Sequence, residues 1–368
     1  MSSPALSTLS RSSTAAPPRG ARMRAARLYG VRDLHLDELP VPELGPGRAL
    51  VRIRAVSICG SDLHYYREGR IGDSRPTEPL VLGHELAGEV VAIDPGLGVQ
   101  ATGLRPGQCV AIDPAIACER CEQCRAGHPN LCPHVRFAGT PPTDGGLQDY
   151  LVWPAHLLYA LPPGMSCETG ALLEPLGIAI HATDLARIRL ADTVAVLGAG
   201  PIGLLAIRCA VLSGAVRVFA TDLRPERLAA ARDFGAAETA DAAATDIIHW
   251  LHGRTGGRGV DVVLECAGAA QTFAQAVEVV RPGGTVVLVG IPDDDRIAFG
   301  AAAARRKGVT IKLCRRMKHT YPRAIALAEA GLVDLSKLVS HRYPLDQVGE
   351  AFAALDRGAA IIKAMVTW

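Results

Sequence analysis

Between Ile58 and Glu85 the chain gathers several groups that can bind a metal or move a proton. It reads Ile58-Cys59-Gly60-Ser61-Asp62-Leu63-His64-Tyr65-Tyr66, then a polar loop, then Leu82-Gly83-His84-Glu85. A zinc site that does chemistry takes three protein ligands and leaves a fourth position open. Cys59, His84 and a carboxylate could supply that shell. Taken alone, the spacing is also what a buried cysteine and a satisfied core histidine would leave. The rest of the chain decides for the metal.

A second cluster, Cys118-x2-Cys121-x2-Cys124-x7-Cys132, is far more specific. Four thiolates at this spacing can close a tetrahedral shell around one Zn²⁺, leaving no position for substrate. The role of such a site is structural. Arg120 and Arg125 lie between the ligands and can offset the excess negative charge.

The third signal is Val194-Ala-Val-Leu-Gly198-Ala-Gly200-Pro-Ile-Gly203, an apolar strand running into Gly-x-Gly-x-x-Gly and then the helical run Leu204–Leu212. In that context the first glycine allows a tight turn and the second lets backbone approach a pyrophosphate. The third allows close helix–strand packing, with the helix N-terminus facing the anion. The next strand, Val216–Asp222, ends in an acid whose carboxylate can accept hydrogen bonds from ribose hydroxyls and repel a 2′-phosphate. The expected cofactor is therefore NAD.

These groups need a frame. Ala49–Val56 alternates apolar and charged residues as a half-buried strand does. Glu85–Ile93, Gln108–Ile112, Gly146–Trp153 and His156–Leu161 continue the pattern between Gly/Pro turns, which predicts a β-barrel-like domain. Past Gly170 the pattern changes. Strands at Val260–Cys266, Thr285–Gly290 and Val309–Leu313 alternate with helices. One helix starts at Pro225, and another is marked by Phe273, Val277 and Val280, with a turn at Arg281–Gly284. This predicts a doubly wound parallel sheet. After Arg315 come a helix at Tyr321–Ala330, a strand at Val339–Tyr343, a helix at Asp346–Leu355 and a closing strand at Ile361–Val366. The C-terminal segment is expected to fold back on the first domain, with the active site in the cleft between domains. The expected division is a catalytic zinc domain over 23–176 and 316–368, and a dinucleotide-binding domain over 177–315.

The chain has 368 residues, 49% hydrophobic, and a net charge of +2. No basic run points to nucleic acid, and no apolar stretch reaches the roughly 20 residues needed to span a bilayer. Ten cysteines in a chain of this length do not make a secreted disulfide scaffold. Metal ligands plus free core thiols in a reducing cytosol are expected instead. Residues 1–22, with prolines and arginines but no acid, read as a disordered extension preceding the first structured pattern at Met23.

With these motifs in order, the chain resembles the zinc-dependent medium-chain dehydrogenases, and within them the sorbitol (polyol) dehydrogenase-like branch. Cys59-Gly-Ser-Asp-Leu-His-Tyr65, Phe137-Ala-Gly-Thr-Pro-Pro-Thr-Asp-Gly-Gly146 and Leu172-Leu-Glu174-Pro-Leu-Gly carry that likeness. The resemblance implies an α/β chain with a GroES-like β-barrel catalytic domain and a Rossmann domain. It implies two zinc ions, NAD, a polyol or diol substrate, and a cytoplasmic homo-oligomer, a tetramer in the family. Cys59 and His84 would bind the catalytic zinc, and Glu85 or Glu174 would complete its shell or hold its water. Ser61 and His64 would relay the proton of the substrate hydroxyl. Tyr65, Phe137, Thr140 and Arg316 would line the substrate. Gly198, Gly200, Ile202, Gly203, Asp222, Arg227, Val289, Gly290 and Ile291 would meet the cofactor. The chain departs from animal members at Arg315-Arg316-Met317, where an aromatic would flank the arginine on each side.

Two other readings share parts of this pattern. A 2,3-butanediol or threonine dehydrogenase of the same superfamily would carry the same metal residues. A non-catalytic dinucleotide-binding protein would have no need of Cys59, His84 and Glu174. A zinc-ribbon nucleic-acid binder would need basic flanks and aromatics around the cysteine quartet, which are missing.

Overall fold

The strand Arg48–Ser57 forms the centre of the first domain in the computed structural model, which describes residues 17–18, 20–97, 103–292 and 296–368. Of the expected extension over 1–22, residues 1–16 and 19 lie outside the described residues, and the first strand already begins at its last residue, running Arg22–Gly30. Ala49, Val51, Ile53 and Ala55 of the central strand are fully buried. The strand pairs antiparallel with Glu85–Ile93 on one side and with Lys363–Thr367 on the other. A seven-stranded sheet results, in the order Leu158–Ala160, Cys109–Ile112, Glu85–Ile93, Arg48–Ser57, Lys363–Thr367, Val339–Pro344, with Tyr150–Pro154 also pairing with the central strand. The register matters for function. Ser57 stands opposite Glu85 on one side and Met365 on the other, so the C-terminal strand arrives beside the metal-binding stretch.

The second domain is a six-stranded parallel sheet in the order Glu238–Asp241, Arg217–Asp222, Thr193–Leu197, Val260–Glu265, Val280–Leu288, Thr310–Leu313. The order reverses between Thr193–Leu197 and Val260–Glu265, and ligands of doubly wound sheets lie outside the strand ends at that point. Gly198 sits at φ 93°, and a Cβ there would stand 2.7 Å from the Ala267 nitrogen. A Cβ on Gly203 would stand 1.9 Å from the Gly198 carbonyl oxygen, so only glycine lets the helix Pro201–Leu212 seat against the strand.

Asp261 ties this sheet together. Its carboxylate accepts the Thr193 N–H (2.9 Å) and hydroxyl (2.8 Å) from the neighbouring strand, and the Arg281 Nε–H (2.6 Å) from the next. Half-exposed Arg258 adds a bond that solvent weakens. Burial pushes the Asp261 carboxyl up, but Arg258, the Thr193 N–H and Arg281 more than offset it and hold the group below its ordinary range. A depressed folded-state value stabilises above the unfolded carboxyl pKa, and that stability is lost as pH falls through the folded value. Asp261→Ala should therefore cost about 2 kcal/mol at neutral pH. Urea unfolding should show the gap to wild type closing under strong acid.

Several expectations need correction. The strand expected at Gly146–Trp153 begins only at Tyr150, because the Gly145, Gly146 and Leu147 N–H groups bond instead to the carbonyls of Val81, Gly83 and Leu82. Arg281–Gly284 is not a turn between elements but a bulge inside the strand Val280–Leu288, with Val260 opposite Val280 and Val262 opposite Thr285. Val280 opens that strand rather than belonging to the helix Ala270–Val279. The cysteines outside the metal clusters are not all free thiols, since Cys109 and Cys167 are joined by a disulfide across a Cα separation of 6.2 Å.

A fourteen-residue helix, Leu173–Ala186, had no sequence signal of its own. It is buried on nearly all sides, so it lacks the polar stripe that marks an amphipathic helix. Its Pro175 falls in the first turn, where no intrahelical N–H bond is lost. This helix passes from Glu174 in the catalytic domain to pack on the helix Pro201–Leu212 of the other.

Candidate active site and zinc centres

Cys59 is the N-cap of the helix Gly60–Glu68, which follows directly on the central strand. Asp62, in the first turn, is 1% exposed and organises both halves of the motif. Its carboxylate accepts the Cys59 N–H at 2.9 Å and the Gly83 N–H at 3.1 Å, and stands 3.4 Å from His84 Nδ1. Burial would push this carboxyl up, but His84 and the two N–H groups hold it down. Burial pulls the His84 imidazole down, while Asp62 and Cys59 more than reverse that and raise it. Gly83 is required where it stands, at φ 93°, because a Cβ there would lie 2.7 Å from Val56.

His84 and Glu85 follow that glycine into the sheet. Glu85 is fully buried and accepts from Ser57 Oγ and, at 2.6 Å, from Lys363 Nζ, itself 3% exposed. The donor atoms of Cys59, His84 and Glu85 all lie within 4.8 Å of one another. A thiol, an imidazole and a carboxylate so gathered fit a divalent zinc with one open position, and two anionic ligands would balance its charge. Glu174 is outside this group of donor atoms but close to it electrostatically. Burial first, with Glu85 adding to it against the pull of His84, pushes its carboxyl up to about 8.

The remaining expected residues lie on the helix Gly60–Glu68, around Phe137 and at Arg316. The Ser61 hydroxyl is 3.4 Å from His84 Nε2, and His64, one turn along, faces Glu68 at 3.5 Å. The Tyr65 hydroxyl bonds to Ser74 at 2.9 Å. The Phe137 ring lies 5.3 Å from the His84 ring, and the Arg316 guanidinium stacks over Phe137 at 4.2 Å. The Thr140 N–H bonds to the Phe137 carbonyl at 3.0 Å, which places Thr140 in the supporting loop. Arg316 adopts φ 53°, and its Nη1 is buried with no partner. Burial, with Arg315 beside it, pulls the guanidinium down to about 10. Asp113, whose charge favours the Arg316 cation, is itself pushed up to about 6 by burial.

Cys118, Cys121, Cys124 and Cys132 also converge, with all four sulfurs within 4.8 Å. The Cys124 N–H points to Cys121 Sγ and the Cys118 N–H to Cys132 Sγ, at 3.5 and 3.4 Å. The donor set suits a structural zinc.

The residues expected to meet a cofactor lie at and past the C-terminal ends of the parallel strands. The Asp222 carboxylate accepts the Ala199 N–H at 2.8 Å and the Arg224 N–H at 3.0 Å, joining the glycine turn to the strand end. Arg227 Nη1 is 3.7 Å from it, beside Gly200. Arg224 turns the other way and donates to the carbonyls of Ala359 and Gly358. Ile202 lies in the first turn of the helix Pro201–Leu212. Val289 and Gly290 donate to the Glu265 carbonyl, and Ile291 is half-exposed past the fifth strand.

Three residues of this site were not singled out from sequence. Asp62 stood inside the quoted motif, where its flanking glycine and serine gave it no obvious partner. Lys363 is 278 positions from Glu85, and Asp113 sits on a loop with no motif.

Known proteins match this chain along most of its length. Residues 45–163 match the alcohol dehydrogenase GroES-like domain, and residues 201–330 match the zinc-binding dehydrogenase domain. A sorbitol dehydrogenase of Bacillus subtilis (strain 168) is 36% identical over 94% of this chain and 97% of its own. A probable D-xylulose reductase A of Arthroderma otae is 38% identical, over 91% of this chain and 94% of its own. The crystal structure of a putative zinc-binding dehydrogenase from Sinorhizobium meliloti 1021, bound to NADP, superposes with a TM-score of 0.87 at 31% identity. It covers 95% of this chain and 100% of that one.

Proposed function

The chain belongs to the zinc-dependent medium-chain dehydrogenases, in their sorbitol dehydrogenase-like branch, and on that premise we propose that it oxidises a secondary alcohol of a polyol to a ketose with NAD. The observation that carries the polyol reading is Arg316, stacked on Phe137 beside His84 with an unpartnered Nη1. Cys59, His84 and Glu85 would hold a zinc ion, which would supply the Lewis acidity that lowers the pKa of a substrate hydroxyl. Support for Glu85 as third ligand is its place in the cluster of donor atoms. Glu174, buried and outside that cluster, then orients a water.

The chain's own residues do the rest. Ser61 and His64, on successive turns of one helix, carry the hydroxyl proton toward solvent. Asp62 holds the imidazole, and Lys363 compensates the buried Glu85 charge. Arg316 holds the hydroxyl next to the reacting carbinol. The glycine turn and Asp222 hold the dinucleotide. NAD is favoured over NADP because Asp222 faces the ribose position while Arg224, a residue that could meet a 2′-phosphate, is tied to Gly358 and Ala359. We place the protein in the cytoplasm as a homo-oligomer, a tetramer on family likeness, with no nucleic-acid or membrane partner. Among the described residues no helix is long and apolar enough to cross a membrane.

A 2,3-butanediol or threonine dehydrogenase shares the metal residues and remains the rival. Initial rates with NAD⁺ and NADP⁺ across C4–C6 polyols, 2,3-butanediol and threonine separate them. The highest kcat/KM is expected for a polyol with NAD⁺. A higher value for threonine or butanediol would replace the substrate, and one for NADP⁺ would overturn the reading of Asp222.

A further inference from the structure

Glu265 ends the strand Val260–Glu265 at the point where the sheet order reverses, paired with Leu197 on one side and Leu288 on the other. It is fully buried. Its Oε1 accepts three bonds, from the Ala267 N–H (2.9 Å), the Gly268 N–H (2.8 Å) and the Thr272 hydroxyl (2.7 Å). Its backbone carbonyl accepts the Val289 and Gly290 N–H groups at 2.8 and 3.0 Å. Its Oε2 has no partner. One residue therefore holds the turns that follow two adjacent strands.

Those turns are pressed against each other and against the glycine turn. A Cβ on Gly198 would stand 2.7 Å from the Ala267 nitrogen, one on Gly268 2.4 Å from the Ile291 oxygen, and one on Gly290 2.2 Å from the Gly268 nitrogen. The Gly290 Cβ would also stand 2.9 Å from Glu265 Oε2. Backbone stacked this closely forms the floor of the crevice in which a dinucleotide crosses a doubly wound sheet. Asp222 lies on the far side of that crossing, at the adenosine end, so the Glu265 turns underlie the other half.

We infer that Glu265 is a positioning residue for the nicotinamide half of the cofactor, setting the depth of the Ala267–Gly268 and Val289–Ile291 backbones on which that half rests. The inference relies on the cofactor placement proposed above. A carboxylate suits the task better than an amide. Three donors converge on one of its oxygens, and the other stands against the Gly290 Cα, which offers an NH₂ group no acceptor.

The test is Glu265→Gln, with NADH binding followed by fluorescence, AMP binding by calorimetry, and zinc content and unfolding midpoint measured alongside. NADH Kd and the NAD⁺ KM should each rise about tenfold. AMP, which occupies only the Asp222 end, should bind as to wild type, with zinc retained. An NADH Kd within about twofold of wild type overturns the inference, and so does AMP binding weakened by the same factor as NADH. If Glu265→Gln does not fold, Thr272→Val removes a single donor from Oε1 and should raise the NADH Kd about threefold with AMP again unchanged. No change there is equally fatal. Wild-type protein that binds neither AMP nor NADH would sink the cofactor placement itself, a result distinct from either failure of the variants.

Discussion

Cys59→Ser should leave a folded protein that has lost one zinc and almost all activity. The thiolate is one of three converging donors, and its replacement by a hydroxyl removes the softest ligand and one of two negative charges. Loss of Lewis acid assistance is worth several kcal/mol in the transition state, so kcat/KM should fall by at least about a thousandfold. The fold should persist, because Cys59 only caps a short helix, while Asp62 still binds the backbone on both sides. Cys121→Ser provides the contrast. Its sulfur belongs to a closed set of four on a lobe with little core of its own, so metal loss there should lower the unfolding midpoint before it lowers activity. Metal analysis and circular dichroism on both variants and wild type decide the matter. Fewer than two zincs in unchelated wild type, or an active Cys59→Ser, would show that the two clusters have been misread.

The parts of the fold that could be read from sequence are those in which chemistry and local geometry coincide. Gly198 and Gly203 are legible because each answers to a specific close approach, and the strand and helix around them have different periodicities. Arg48–Ser57 is legible because its charged residues alternate with core residues. The helix Leu173–Ala186 was not, because a buried helix has no polar face to set its period. Arg281–Gly284 has the composition of a turn, yet the sheet absorbs it as a bulge. The site divides in the same way. Cys59, His84 and Glu85 are close in sequence and carry ligand chemistry. Lys363 becomes part of the site only because the last strand pairs with Arg48–Ser57, and no local signal reports a pairing between chain ends. The Cys109–Cys167 link joins a strand to a later helix by the same kind of long-range contact.

Arg316→Ala should split substrates by class. The resemblance to animal members would put aromatics on each side of this arginine, and here Arg315 and Met317 stand in those places. The structure supplies the aromatic from the short strand Arg136–Phe137. Phe137 lies under the guanidinium at 4.2 Å, while Met317 is buried against Gly177 of the long helix. Stacking fixes the plane of the guanidinium without using its N–H donors. Nη1 is left buried and unpartnered, with Tyr65, Glu174 and Asp113 near enough to favour its charge. A substrate hydroxyl next to the reacting carbinol can take that donor. A substrate lacking it leaves the guanidinium desolvated and unpaired, a cost of about 2–3 kcal/mol. Removing the arginine should therefore lower kcat/KM for vicinal polyols by about a hundredfold. Simple secondary alcohols, which never used the donor, should change by less than about threefold. Glu174→Ala should instead damage both classes alike, since its carboxylate serves the metal end of the pocket. If Arg316→Ala treats polyols and simple alcohols equally and raises only the NAD⁺ KM, the guanidinium serves the cofactor. The polyol would then have to be held by other residues.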